Sequence, residues 1–149
     1  MKEENVKPVK ILLVEDNEPD IDLTKEALAE FKMLNELYVV KDGVEAMSFL
    51  TKIDKYRNMP TPDLILLDLN LPKKNGIEVL AEIKEEKDLK KIPVVILTTS
   101  EAEEDILKSY ELNASCYIKK PIDLQQFFKV VKSFGDFWFS IVRYPKKKK

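Results

Sequence analysis

The sequence contains no histidine, a single cysteine (Cys116) and only three glycines (Gly43, Gly76 and Gly135) in 149 residues. Without histidine, Ser-His-Asp and Cys-His catalysis, His-ligated zinc and phosphohistidine chemistry on this chain are excluded. One cysteine excludes an internal disulfide and any multi-cysteine zinc site. Three isolated glycines spell neither G-x-x-x-x-G-K nor G-x-G-x-x-G, so the glycine-loop nucleotide motifs are absent too. No apolar run approaches the ~20 residues of a membrane span, and Met1 to Val6 hold no apolar signal core. Chemistry is left to carboxylates, hydroxyls and lysines.

What is present suffices for one domain with a core: 44% hydrophobic residues beside 35% charged. The net charge of −2 is unevenly spread. Residues Arg143 to Lys149 hold five of the 25 basic residues, which leaves 20 against 27 acidic ones before them. An acidic body argues against a nucleic-acid partner. The expectation is a cytoplasmic protein with no membrane contact and a solvated basic tail.

Five short apolar runs, Ile11–Val14, Leu37–Val40, Leu64–Leu67, Val94–Leu97 and Cys116–Ile118, read as strands. Continuous rather than alternating runs are expected of strands covered on both faces. Segments of helical period separate them. Ile21, Thr24, Ala27, Leu28 and Phe31 share one face behind Pro19. Val44, Met47 and Leu50 mark a second helix over Gly43–Ile53, and Asn75-Gly76 opens a third with Ile77, Leu80 and Ile83. Ser100 and Glu103 form a capping box for a fourth carrying Ile106 and Tyr110, and Asp123 heads the last. This (βα)₅ order predicts an α/β fold: a doubly wound, five-stranded parallel sheet of flavodoxin-like strand order 2-1-3-4-5.

In such a sheet the ligand crevice lies beyond the carboxyl ends of strands 1 and 3. Strand 1 runs into Glu15-Asp16 and strand 3 into Asp68, so two segments deliver three carboxylates to one place. Strand 4 ends in Thr98-Thr99-Ser100 and strand 5 in Lys119-Lys120-Pro121. Gathered carboxylates repel, and an oxygen-only ligand set suits Mg²⁺, with Mn²⁺ as a substitute. A carboxylate beside such a cation can attack phosphorus and form an acyl phosphate. Asp68, ending the central strand, is the predicted nucleophile, with Glu15 and Asp16 holding the metal.

The segments Leu12-Leu-Val-Glu-Asp16, Asp63-Leu-Ile-Leu-Leu-Asp68-Leu-Asn-Leu-Pro72, Gly76, Val95-Ile-Leu-Thr98 and Tyr117-Ile-Lys-Lys120-Pro121 together resemble the receiver domain of two-component response regulators. The resemblance covers roughly residues 9–135, leaving 136–149 as the end of a long helix plus the tail, with no output domain. It implies that Asp68 takes a phosphoryl group from a sensor histidine kinase. It further implies that Asp16 and Asp68 ligate Mg²⁺, Glu15 largely through water, and Asn70 through its backbone carbonyl. Thr98, with Thr99 beside it, and Lys120 would bind phosphoryl oxygens. Tyr117 would be the aromatic switch, and Lys120-Pro121 would carry a cis peptide. Glu rather than Asp at position 15 is a mild departure from the family's pattern.

The last helix holds more apolar residues than one face needs. Leu124, Phe127, Phe128, Val131, Trp138 and Val142 form a stripe assigned to the sheet. Val130, Phe134, Phe137 and Ile141 form a second seam, read as the face of a homodimer. The aromatic extension toward Tyr144-Pro145 is similar to that of regulators serving cyanobacterial phytochromes, so a phytochrome-like kinase is the implied partner. Three rival functions fit less well. A haloacid-dehalogenase-like phosphatase needs an acid two residues after its nucleophile, where this chain has Asn70. A flavodoxin-like FMN site would meet repulsion from Glu15, Asp16 and Glu18. A receiver-shaped binding module that is never phosphorylated would not need the acid, threonine and lysine set. The reading is therefore a signalling protein, not an enzyme acting on other substrates.

Overall fold

Five strands pair in parallel in the order β2-β1-β3-β4-β5. They are β1 (Val9–Val14), β2 (Asn35–Val40), β3 (Leu64–Asp68), β4 (Val94–Thr98) and β5 (Cys116–Lys119). The computed structural model describes residues 8–30, 34–99 and 116–133, without the side chains of Cys116, Leu124 and 131–133. The flanking helices are α1 (Glu18–Glu30), α2 (Gly43–Thr51), α3 (Gly76–Glu85) and α4 (Leu124–Ser133), with a 3₁₀ turn at Asp54–Tyr56. Phe31, the helix expected behind Ser100 and Glu103, and everything from Phe134 onward lie outside the described residues.

The apolar runs are continuous because the sheet is covered twice. Side chains alternate between faces along a strand. Leu12, Val14, Ile65, Leu67, Val94 and Ile96 pack with Ala46, Phe49 and Leu50 of α2 and Val79, Leu80 and Ile83 of α3. Ile11, Leu13, Leu64, Leu66, Val95, Leu97 and Ile118 face the other way, onto Ile21 and Leu28 of α1 and Phe127 and Val130 of α4. Each such side chain contributes about 1.5–3 kcal/mol by leaving water.

The strands are longer than the apolar runs. Pairing of β1 with β2 begins at Val9 opposite Asn35, so Lys10, Asn35 and Glu36 join the ladder despite their polarity. Polar caps start the helices. Asn17 Oδ1 accepts from the Asp20 amide at 2.9 Å, Asp42 Oδ1 from Glu45 at 2.7 Å, and Asp123 Oδ1 from Gln126 at 2.8 Å. Asn75 and Glu78 form a reciprocal capping box on α3.

Two helix faces differ from expectation. Val44 is 48% exposed, because α2 turns Gly43, Ala46, Met47 and Leu50 inward. On α4, Phe128 is 52% exposed while Val130 is only 7% exposed. With Phe127 at the centre of the buried face, Val130 lies about 60° from it and Phe128 about 100°. Val130 is therefore core, not part of a dimer face, and Phe128 is not part of the stripe on the sheet. The remaining dimer-face candidates, Phe134, Phe137 and Ile141, lie outside the described residues.

Candidate acidic site at the carboxyl edge of the sheet

Parallel pairing puts every strand's carboxyl end on one edge. Val14 pairs with Leu67, so Glu15 and Asp16 emerge beside Asp68. Asp68 pairs with Leu97, which brings Thr98 alongside it. Thr98 pairs with Lys119, and the Lys120 amide donates to the Thr98 carbonyl at 2.7 Å. The chain turns there through a cis Lys120-Pro121 peptide. On the other side of Asp68, α3 begins at Gly76, where a Cβ would stand 2.5 Å from the Asp68 carbonyl oxygen. Glycine is needed for that close approach.

Glu15, Asp16 and Asp68 each offer an oxygen within 4.8 Å of the others. Glu15 is 0% exposed and Asp68 2%, whereas Asp16 is open to solvent. The Lys120 ammonium reaches into this cluster, 3.3 Å from Asp68 Oδ2, 3.2 Å from Glu15 Oε2 and 3.0 Å from Glu15 Oε1. Oε1 is within ion-pair range of the ammonium yet accepts no hydrogen bond among the described residues. Burial, reinforced by the Asp68 carboxylate and opposed by Lys120, pushes the Glu15 carboxyl up to about 7 from an ordinary 4.5. Burial works against the Lys120 ammonium, but Asp20, Glu15 and Asp68 outweigh it and raise its pKa above the ordinary lysine value.

Thr98 is 1% exposed, and its Oγ1 has no hydrogen-bond partner among the described residues. A buried hydroxyl left so costs about 1–3 kcal/mol, which an acceptor arriving at the site would relieve. The Asn70 amide donates to Asp68 Oδ1 at 3.3 Å, which sets the loop leaving β3, and the Asn70 side chain is exposed. Thr99 is exposed on the same edge. Tyr117 is half-buried on β5, against the core layer that α2 and α3 cover. One participant was missed in the sequence. Asp20, in the first turn of α1, accepts from Lys120 Nζ at 2.9 Å. Those residues are 100 apart in the chain, and only an acid placed one turn into the helix after β1 hinted at it.

An all-oxygen donor set of two buried carboxylates and one exposed one fits a hard divalent cation. The family model for the response regulator receiver domain matches residues 11–132. The chain belongs to this family. It is a two-component response regulator, built on the receiver fold in strand order and in flanking helices. It is 50% identical over 145 residues to response regulator Rcp1 of Synechocystis, covering 97% of this chain and 99% of Rcp1. The solved Mn²⁺-bound form of Rcp1 superposes with a TM-score of 0.73 over 93% of this chain and all of that one, at 50% identity. The phosphorylated cyanobacterial phytochrome response regulator RcpA is 52% identical, with a TM-score of 0.75 over 94% of this chain and all of RcpA. The bacteriophytochrome response regulator RtBRR gives a TM-score of 0.83 at 41% identity, over 95% of this chain and 86% of that one. Receiver domains bind Mg²⁺ and interact with histidine kinases, and among the described residues the Glu15, Asp16 and Asp68 cluster could hold such a cation. No helix among the described residues is long and apolar enough to cross a membrane.

Proposed function

We propose that Asp68 is the phosphoryl acceptor of this response regulator. The observation that carries the reading is Asp68 itself: buried at the end of β3, within ion-pair reach of Lys120 and grouped with Glu15 and Asp16. In the proposed step an Asp68 carboxylate oxygen attacks the phosphorus of a kinase phosphohistidine. The P–N bond breaks, an acyl phosphate forms, and the imidazole leaves and takes up a proton. Asp16, Asp68 and the Asn70 carbonyl would hold the divalent cation, with Glu15 acting largely through water. That cation, when bound, offsets charge on the transferring group. Lys120 then pairs with a phosphoryl oxygen, and the Thr98 hydroxyl, without a partner among the described residues, donates to another, with Thr99 at the rim. Movement of Thr98 opens room for Tyr117 to turn inward, which changes the face around β5 and so the affinity for partners.

The signalling unit would span 9–135 and work in the cytoplasm, catalysing nothing beyond its own phosphorylation and dephosphorylation. The similarity to a bacteriophytochrome and a cyanobacterial phytochrome response regulator supports a phytochrome-like sensor kinase as the donor. A homodimer through the C-terminal helix is supported by Phe128, exposed on α4 while Phe127 and Val130 fill the core. Light scattering at tens of micromolar is expected to give a dimer, and a monomer with and without phosphoryl donor would refute it.

The phosphorylation reading is tested by intact mass after incubation with Mg²⁺ and acetyl phosphate. The expected result is a gain of about 80 Da in the wild type and none in Asp68→Asn. No gain in the wild type, with Mg²⁺ present, would instead favour a receiver-shaped binding module.

A further inference from the structure

Lys120 has more anionic partners than a phosphoryl-binding lysine needs. Its ammonium lies within 3.3 Å of two of the three clustered carboxylates, Glu15 and Asp68. A cation so placed competes for the same oxygen lone pairs that a divalent ion would use. Its shortest contact is with a carboxylate outside that cluster: Asp20 Oδ2, at 2.9 Å. Asp20 is presented from a fixed turn. Its amide donates to Asn17 Oδ1 at 2.9 Å, and its carbonyl accepts from the hydroxyl of buried Thr24 at 2.9 Å.

We propose that Asp20 is a positioning residue for Lys120. It gives the ammonium an acceptor outside the Glu15, Asp16 and Asp68 cluster, so that the lysine stays beside Asp68 without standing in for the divalent cation. Without Asp20, the ammonium's free donor turns to Glu15 and Asp68, and the incoming ion has to displace it from both. This deepens the reading of the three carboxylates as the cation site and rests on it.

The test is Mn²⁺ affinity of the full chain, read from the electron paramagnetic resonance signal of free Mn²⁺. The proteins are wild type, Asp20→Asn, Lys120→Gln, the double variant and Asp16→Asn. Asp20→Asn is expected to weaken Mn²⁺ binding on the order of tenfold, the scale seen when a ligand's supporting partner is lost. In the Lys120→Gln background the same substitution is expected to change affinity by less than about twofold, since its route of action is gone. That near-identity would also establish that asparagine at position 20 leaves the fold intact. Equal weakening in both backgrounds would overturn the proposal, because Asp20 would then act as a plain negative charge near the ion. Unchanged affinity in Asp20→Asn alone would overturn it too, and leave the cation site standing. Wild-type protein that fails to bind Mn²⁺, or binds it as well with Asp16→Asn, would overturn the cation site and the proposal together.

Discussion

Strand β3 changes character across a single peptide bond. Leu64 to Leu67 are fully buried and apolar on both faces, while the next residue, Asp68, is just as inaccessible and carries a carboxylate. The body of the sheet has almost every side chain in one of two packed layers. Its carboxyl edge has buried acids sharing one ammonium, a hydroxyl without a partner among the described residues, and a Glu15 carboxyl whose pKa is pushed to about 7. The body supplies free energy, and the edge holds charge in a state that only a ligand resolves. A frame that rigid lets strained electrostatics persist at its rim.

If that division holds, truncation in the body should act on stability alone. Leu66→Ala is expected to cost about 2–5 kcal/mol in denaturant unfolding, with Mn²⁺ affinity of the folded protein unchanged. A parallel fall in metal affinity would show that the two regions are not separable.

The edge makes a pH prediction of smaller size. Because the Glu15 carboxyl is raised to about 7 in the folded protein from an ordinary 4.5, the folded state retains a proton that the unfolded chain has already released between those values. Stability from this group is thus complete below about pH 4.5 and is lost as pH rises toward 7. In chelator, the wild type is expected to lose on the order of 1–3 kcal/mol relative to Glu15→Gln between pH 5 and 7.5. Saturating Mg²⁺ should flatten that loss, since a bound cation favours the ionised carboxylate. A wild type whose pH profile matches Glu15→Gln would mean that the acid is not under this strain.

The smallest effect sharpens the comparison from the side. Asn75→Ala removes the capping box that starts α3 just after the loop from Asp68, and is expected to cost about 1 kcal/mol. Thermal unfolding checks it, and a cost near that of Leu66→Ala would mean the cap also anchors the site loop.

Much of this was legible in the residues. Runs such as Leu64–Leu67, apolar without alternation and of strand length, fit strands covered twice, and their alternation with helical segments pointed to the sheet and the edge where its acids meet. The long-range partner was not legible: no local pattern joins Asp20 to Lys120 across 100 residues. Nor was the rotation of α4. A helix carrying Phe127, Phe128 and Val130 has two defensible apolar faces, and only its packing against α1 and the sheet turns Val130 in and Phe128 out. Strand ends were short for a related reason, since register with a neighbour recruits polar Lys10 and Asn35 where composition does not.

The most direct measurement of the central claim is chemical trapping of the acyl phosphate. After incubation with Mg²⁺ and acetyl phosphate, borohydride reduction and peptide sequencing should mark position 68 and no other acid. A mark on Glu15, Asp16 or Asp20, or none at all in protein shown to bind Mg²⁺, would contradict it.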